Sequence, residues 1–137
     1  ITSSLVYFAD HGEDVFDTKE HLFTGRNEGR PTLPMYTVPF LTWLSPDWMP
    51  ETKRKRLVEY TKRPYLNSDF IYSWADLAGI SFAAYDPTKS IFSPDFIERP
   101  RLIGSPYSPK KMIDFDDLLT SKKSPGITVV QNTLGGQ

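Results

Sequence analysis

The sequence predicts an α/β layered domain, on the strength of three features. Residues 4–9 (SLVYFA) form a continuous apolar, β-rich run that stops abruptly at Asp10-His11-Gly12. Unbroken apolarity suits a central parallel strand covered on both faces. Further along, Phe70, Ile71, Trp74 and Leu77 recur at the spacing of an amphipathic helix. The length, 137 residues, suits one domain with a core of its own.

The elements follow in order. Residues 12–36 carry Gly12, Gly25, Gly29, Pro31 and Pro34 without a sustained period, so they read as a long loop with at most one helical turn. Loops of that length are usually functional. Residues 38–44 (VPFLTWL) read as a second strand, with Pro39 confined to its start. A charged helix is expected over residues 50–62, with Leu57, Val58 and Tyr60 as its apolar side and Lys53-Arg-Lys-Arg56 as a solvated face. A second helix has Ser68 as N-cap, Asp69 in its first turn and Gly79 at its end. Trp43, Trp48 and Trp74 are taken as packing residues. Residues 85–109 hold five prolines and should wander, with a short strand near 101–103. Residues 127–130 read as a last edge strand.

Composition narrows the function classes. Hydrophobic residues make up 39% and charged residues 24%, the profile of an ordinary folded domain. The net charge of −1 gives no reason to expect nucleic acid as a partner. No apolar run approaches the roughly 18 residues a membrane-spanning helix needs. With no cysteine, thiolate metal sites and disulfides are excluded. The chain opens at Ile1, directly before the strand-like run, which leads us to expect a portion of a larger protein.

Asp10-His11-Gly12-Glu13 is the sharpest chemical feature. Carboxylate and imidazole are both good ligands for a first-row metal such as zinc. Neighbours in a strand point to opposite faces, so Asp10 and His11 can share one ion only if the chain turns, and Gly12 permits that turn. Glu13 is expected to ligate, or to orient His11 through its free ring nitrogen.

In this context, residues 4–13 (SLVYFADHGE) resemble the segment of phosphoethanolamine transferases, and more widely of sulfatases and alkaline phosphatases, that delivers Asp-His-Gly to zinc. The resemblance continues through EHLFTGRN with His21 and Arg26, through TVPFLTWLSP, through NSDFIYSWADLAGI and through YDPTKSIFSPDFIERPRLI, so it covers residues 4–103. It implies an alkaline-phosphatase-like α/β/α sandwich with a mostly parallel sheet, of which residues 1–137 are a single partial domain at the C-terminal side. It implies zinc held by Asp10 and His11, with His21 facing the metal and phosphate, as a phosphoryl contact or a ligand to a second zinc; Arg26, in TGRN, is a candidate partner for a phosphate oxygen. It further implies a ping-pong transfer of phosphoethanolamine from phosphatidylethanolamine to lipopolysaccharide core, lipid A or another periplasmic glycan. The nucleophile and a further Glu ligand are then expected upstream, so the chain alone should be inert. Membrane contact through a preceding inner-membrane part, with this domain in the periplasm, belongs to the same implication. Two departures, Asp14-Val-Phe-Asp17 after the Asp-His-Gly-Glu and Met35-Tyr36 before the Val-Pro strand, point away from lipid A and towards core or glycan acceptors. The rival expectations are a sulfatase or phosphodiesterase that shares the metal ligands, and a non-catalytic interaction domain.

Overall fold

In a computed structural model, residues 1–17 and 24–121 are described. The elements are β1 (Ser4–Phe8), β2 (Asp14–Val15), β3 (Thr24–Gly25), α1 (Leu33–Tyr36), β4 (Phe40–Leu44), α2 (Glu51–Tyr60), α3 (Phe70–Ala78), β5 (Leu102–Ile103), β6 (Ile113–Asp114) and α4 (Phe115–Ser121). The mixture of helix and strand is as expected, but the sheet is not. Among the described residues the strands form three two-stranded antiparallel ladders, β1–β4, β2–β3 and β5–β6.

β1 is therefore neither central nor parallel to a neighbour here. It pairs antiparallel with β4, from Ser4 opposite Leu44 to Phe8 opposite Phe40. The physical reason is the pleat. Successive side chains take opposite faces, so an apolar run becomes two apolar faces, of which the described chain covers one. Val6, Phe40 and Leu44 turn inward against a core of Leu57, Leu77, Ile91 and Phe92. Leu5, Tyr7, Leu41 and Trp43 lie on the other face, each more than half exposed.

Pro39 sits just before β4, as its missing N–H requires. α2 follows Pro50, and its cations divide the work. Arg54 donates to the Ser45 and Pro46 carbonyls at 2.9 and 2.6 Å, Lys55 pairs with Glu51 at i,i+4, and Lys53 and Arg56 are exposed. α3 begins one residue later than its expected cap. Asn67–Asp69 form a 3-10 turn, Asp69 takes the N-cap position without a side-chain bond, and Ser68 caps nothing. Gly79 closes the helix with φ +67, the left-handed conformation expected of it. Its buried side is Ser73, Ala75 and Leu77, while Ile71 and Trp74 face out. Of the tryptophans, Trp48 packs as expected and donates to the Leu77 carbonyl at 3.1 Å, whereas Trp43 and Trp74 are exposed.

The loop over 12–36 holds a short hairpin, β2–β3, and the single turn α1. The strand near 101–103 is β5, with β6 as partner. α4 was not legible in advance; it packs Leu118 on Leu33 and Ile103 in a second core, flanked by Tyr36 and Phe115. The strand expected over residues 127–130 lies outside the described residues.

Arg63 ties the far side of the first core. Its Nη1 donates to the Ile91 and Ser93 carbonyls at 2.7 and 2.5 Å, and its guanidinium lies 3.6 Å from the Tyr60 ring centroid. Arg63→Ala should lower the unfolding free energy by about 2–4 kcal/mol, since hydrogen bonds to charged groups contribute ~1.5–3 kcal/mol and the carbonyls would lose their partner. Urea denaturation checks this, and Arg63→Lys should recover only part of the loss because one ammonium cannot keep the stacked fork.

Candidate metal and phosphoryl site

β1 ends in a turn that carries Asp10 and His11 out of the sheet, and two contacts fix it. The first is Gly12. Its N–H donates to the Met35 carbonyl at 3.0 Å, and a Cβ there would lie 2.0 Å from the Pro34 carbonyl oxygen. Gly12 is thus required by close backbone approach, and its φ is not positive. The second is Asn67, whose Nδ2 donates to the Ala9 and Asp10 carbonyls at 2.8 and 2.9 Å. A residue of the 3-10 turn before α3 therefore holds the strand end across 58 and 57 residues of chain.

The turn brings the two candidate ligands together. Asp10 Oδ2 and His11 Nε2 stand 3.6 Å apart. His11 Nδ1 is 3.0 Å from the Gly12 carbonyl, to which it donates as Nδ1–H, so that Nε2 is left as the acceptor nitrogen. Asp10 Oδ1 accepts from the His11 backbone N–H at 3.0 Å, and Oδ2 accepts no hydrogen bond among the described residues. A nitrogen lone pair and a carboxylate oxygen at this separation can share one cation at bond lengths of about 2.0–2.2 Å. The donor set fits zinc, but as half of a site. No group of three or more His, Cys, Asp or Glu among the described residues could hold a metal ion. Glu13 is exposed, and the ring nitrogen it was expected to hold goes to the Gly12 carbonyl instead.

Asp10 and His11 border a cleft of about 250 Å³ whose wall also includes Arg26, Tyr36, Tyr65, Asn67, Arg101 and Phe115. Arg26 thus reaches the same cleft as the candidate ligands, while His21 lies outside the described residues. Both guanidiniums are already paired. Arg26 pairs with Glu28, which also accepts from the Tyr36 hydroxyl. Arg101 grips Asp116 with two nitrogens, Nε at 3.1 Å, and stacks over Phe115 at 4.6 Å. The Arg101 hydrogen bond holds the Asp116 carboxyl below the usual carboxylate range. Burial, followed by the bond to Glu28, pushes the Tyr36 hydroxyl up to about 12. The Tyr65 hydroxyl and Asn67 Oδ1 are buried without a partner among the described residues, so the cleft wall has hydrogen-bonding capacity to spare. Asn67, Tyr36 and Arg101 escaped sequence reasoning. The Asn67-Ser68-Asp69 run carried only a capping signal, Tyr36 stands out only within Met35-Tyr36 as a departure from the family pattern, and nothing local marked Arg101.

Against known proteins, the chain matches the Sulfatase family model over residues 2–80. It belongs to the sulfatase family. Over 114 residues it is 47% identical to the phosphoethanolamine transferase EptC of Escherichia coli K12, and 48% identical to the phosphoethanolamine transferase CptA of Salmonella typhimurium. Each alignment covers 83% of this chain and 20% of the relative, so the chain spans about one fifth of the length of these relatives. Its fold is similar to the crystal structure of the C-terminal periplasmic domain of EptC from Escherichia coli, with a TM-score of 0.72 and 45% identity, covering 84% of this chain and 32% of that one. A second crystal structure of that domain, in complex with Zn, matches to the same extent. No helix among the described residues of this sulfatase-family chain is long and apolar enough to cross a membrane.

Two outcomes check the geometry. Gly12→Ala should destabilise more than Asn67→Ala, because a methyl at 2.0 Å from a backbone oxygen forces the strand end off α1. Asn67→Ala should cost about 1–3 kcal/mol, the scale of leaving donors or acceptors unpaired, and Asn67→Asp should cost more because an acceptor would then face two carbonyl oxygens. Chemical denaturation ranks the three. Separately, Tyr36 is more easily ionised in the unfolded chain than in the fold. Its contribution to stability is complete below pH ~10 and is lost as pH rises from about 10 to about 12. Tyr36→Phe should flatten part of that alkaline fall in the unfolding midpoint; Tyr65 and Tyr85, shifted upward mainly by burial, supply the rest.

Proposed function

We propose that this chain is the C-terminal portion of the periplasmic catalytic domain of a zinc-dependent phosphoethanolamine transferase anchored in the bacterial inner membrane. Its donor is phosphatidylethanolamine, and its acceptor is a lipopolysaccharide core, lipid A or another periplasmic glycan. The observation that carries this reading is the Asp10–His11 pair, with Oδ2 and Nε2 3.6 Å apart at the end of β1, in a chain 47–48% identical to two phosphoethanolamine transferases. The partial-domain reading is supported by the apolar outer face of Leu5, Tyr7, Leu41 and Trp43, whose exposure is unusual for a finished surface.

In this reading Asp10 and His11 hold the metal, and the Gly12 carbonyl fixes the ring that presents Nε2. Zinc, when bound, neutralises charge that develops on the phosphoryl oxygens. A Ser or Thr hydroxyl from outside this chain forms a bond to phosphorus as the bond to diacylglycerol breaks, and its proton ends on the diacylglycerol oxygen. Arg26 can exchange Glu28 for a phosphoryl oxygen, since a partly exposed ion pair contributes only ~0–1 kcal/mol. His21 completes the phosphoryl contacts. A hydrolase of the sulfatase type uses the same ligands with water as acceptor; the family match favours this as the second reading.

The test is made in the full-length protein that carries this segment. Asp10→Ala and His11→Ala should each lower transfer of labelled phosphoethanolamine by at least about 100-fold, the scale of losing one group that stabilises transition-state charge. The 137-residue chain by itself should neither transfer the group nor bind zinc tightly. Full activity in either variant, or tight stoichiometric zinc binding by the isolated chain, would show the site to be elsewhere or otherwise composed. Release of free phosphoethanolamine with no transfer to any glycan would select the hydrolase.

A further inference from the structure

Two polar atoms belonging to the wall of the Asp10–His11 cleft, the Tyr65 hydroxyl and Asn67 Oδ1, are shielded from solvent and have no hydrogen-bond partner among the described residues. A buried polar atom left unpaired opposes folding, and native proteins keep few of them. Two in one cleft wall, on neighbouring positions of the chain, call for a shared explanation. Asn67 Oδ1 is fixed by the rest of its amide. Nδ2 donates to the Ala9 and Asp10 carbonyls at 2.8 and 2.9 Å, so the amide cannot flip and Oδ1 stays an acceptor. The same bond sets the amide directly beside Asp10.

Tyr65 is fixed by its ring, which lies 4.5 Å from the Phe40 ring between centroids and packs on the first core. Burial, and after it the charge of Asp69, push the Tyr65 hydroxyl up, so it stays protonated and offers lone pairs without a charge of its own. Asn67 Oδ1 is satisfied only by a ligand that brings an N–H or O–H. In the transferase reading the donor lipid carries such groups in one place. Its phosphodiester, glycerol and acyl esters hold acceptors alone, whereas its ammonium holds N–H groups. Arg26 and Arg101, which share the cleft, are each neutralised by a carboxylate, Glu28 and Asp116, so neither repels an incoming ammonium.

We propose that Asn67 Oδ1 and the Tyr65 hydroxyl are the two acceptors that read the N–H groups of the donor's ammonium, which makes Tyr65 a specificity residue against methylated amines. The inference rests on the transferase reading and goes beyond it by assigning headgroup selectivity to two named atoms. With the phosphoryl group at Asp10 and His11, the two-carbon arm of ethanolamine leads to Asn67, whose amide already touches Asp10. A headgroup held at both ends is oriented for attack at phosphorus. The cost of leaving both atoms unpaired in the fold is relieved when the ammonium binds. It therefore acts in selectivity, since an analogue that lacks the N–H leaves the acceptor unsatisfied.

Tyr65→Phe removes the hydroxyl and keeps the ring on Phe40. In the full-length protein, with lipopolysaccharide core oligosaccharide present, diacylglycerol release is measured from phosphatidylethanolamine and from its N,N-dimethyl analogue, whose ammonium keeps a single N–H. The wild type should have a KM about tenfold lower for the unmethylated lipid, the scale of one hydrogen bond to a charged group. Tyr65→Phe should raise the KM for phosphatidylethanolamine about tenfold and leave that for the dimethyl lipid nearly unchanged, so that the preference disappears. Its unfolding midpoint should equal or exceed that of the wild type, because an unpaired buried hydroxyl has been removed. A preference that survives in Tyr65→Phe, or one that is absent from the wild type, overturns the proposal. So does a lowered midpoint, which would give the hydroxyl a structural partner. A wild type that releases no diacylglycerol from either lipid fails before the headgroup is read and overturns the transferase reading itself.

Discussion

The close approach of Gly12 to the Pro34–Met35 backbone organises the first half of the molecule. Because no side chain stands between them, the Gly12 N–H reaches the Met35 carbonyl at 3.0 Å, and Met35 is fully buried beneath it. α1 is thereby docked at the end of β1, and the chain leaving α1 enters β4 in the direction that pairs it antiparallel with β1. Asn67 closes the circuit from the other side, with one amide holding two carbonyls of the strand end. Asp10 and His11 inherit their orientation from these contacts. The pair is preorganised by backbone packing, which no property of the two side chains themselves provides.

The charges around the cleft form two devices of different stiffness. Arg101 is held by two nitrogens on Asp116 and by the Phe115 ring, so its position is nearly fixed. Arg26 has a single carboxylate partner and about one third of its side chain in solvent. A bidentate, stacked guanidinium sets an electrostatic background, whereas a singly paired, half-open one can exchange its partner for an incoming oxyanion. The Glu28 carboxylate and the Tyr36 hydroxyl keep Arg26 oriented meanwhile.

The β1–β4 ladder is apolar on both faces, and the described chain covers one of them. One face contributes Val6, Phe40 and Leu44 to the first core. The other leaves Leu5, Tyr7, Leu41 and Trp43 to solvent, although burying a large apolar side chain contributes roughly 1.5–3 kcal/mol. Residues of both cores line the cleft, Tyr65 packed on the one around Leu57 and Ile91, and Tyr36, Ile103 and Phe115 from the one around Leu33 and Ile103. Hence the site sits at a seam between packed units, where polar groups can meet without being sealed in.

Local physics made much of this legible in the sequence. Pro39 and Pro50 marked the starts of β4 and α2, and Gly79 ended α3 in the left-handed conformation. These are properties of single residues and their neighbours. Other features depended on pairing at a distance and were decided only in the folded chain. The apolar run of β1 cannot specify which strand lies beside it, so parallel neighbours were expected where an antiparallel one is found. The period of α3 marked Ile71 and Trp74 as apolar but could not say that Ser73 and Ala75 would face the core instead. Gly12 was recognised as necessary for the wrong reason, since the demand comes from Pro34, 22 positions along the chain, and not from its own torsion angles. Asn67 lies 57 residues from Asp10, and no local pattern ties an amide before a helix to two carbonyls at the end of a distant strand. The sequence determined which groups are able to bind a metal and a phosphoryl oxygen; the tertiary structure decided which of them share a cleft, because only long-range backbone contacts fix where a strand ends relative to a helix that begins elsewhere.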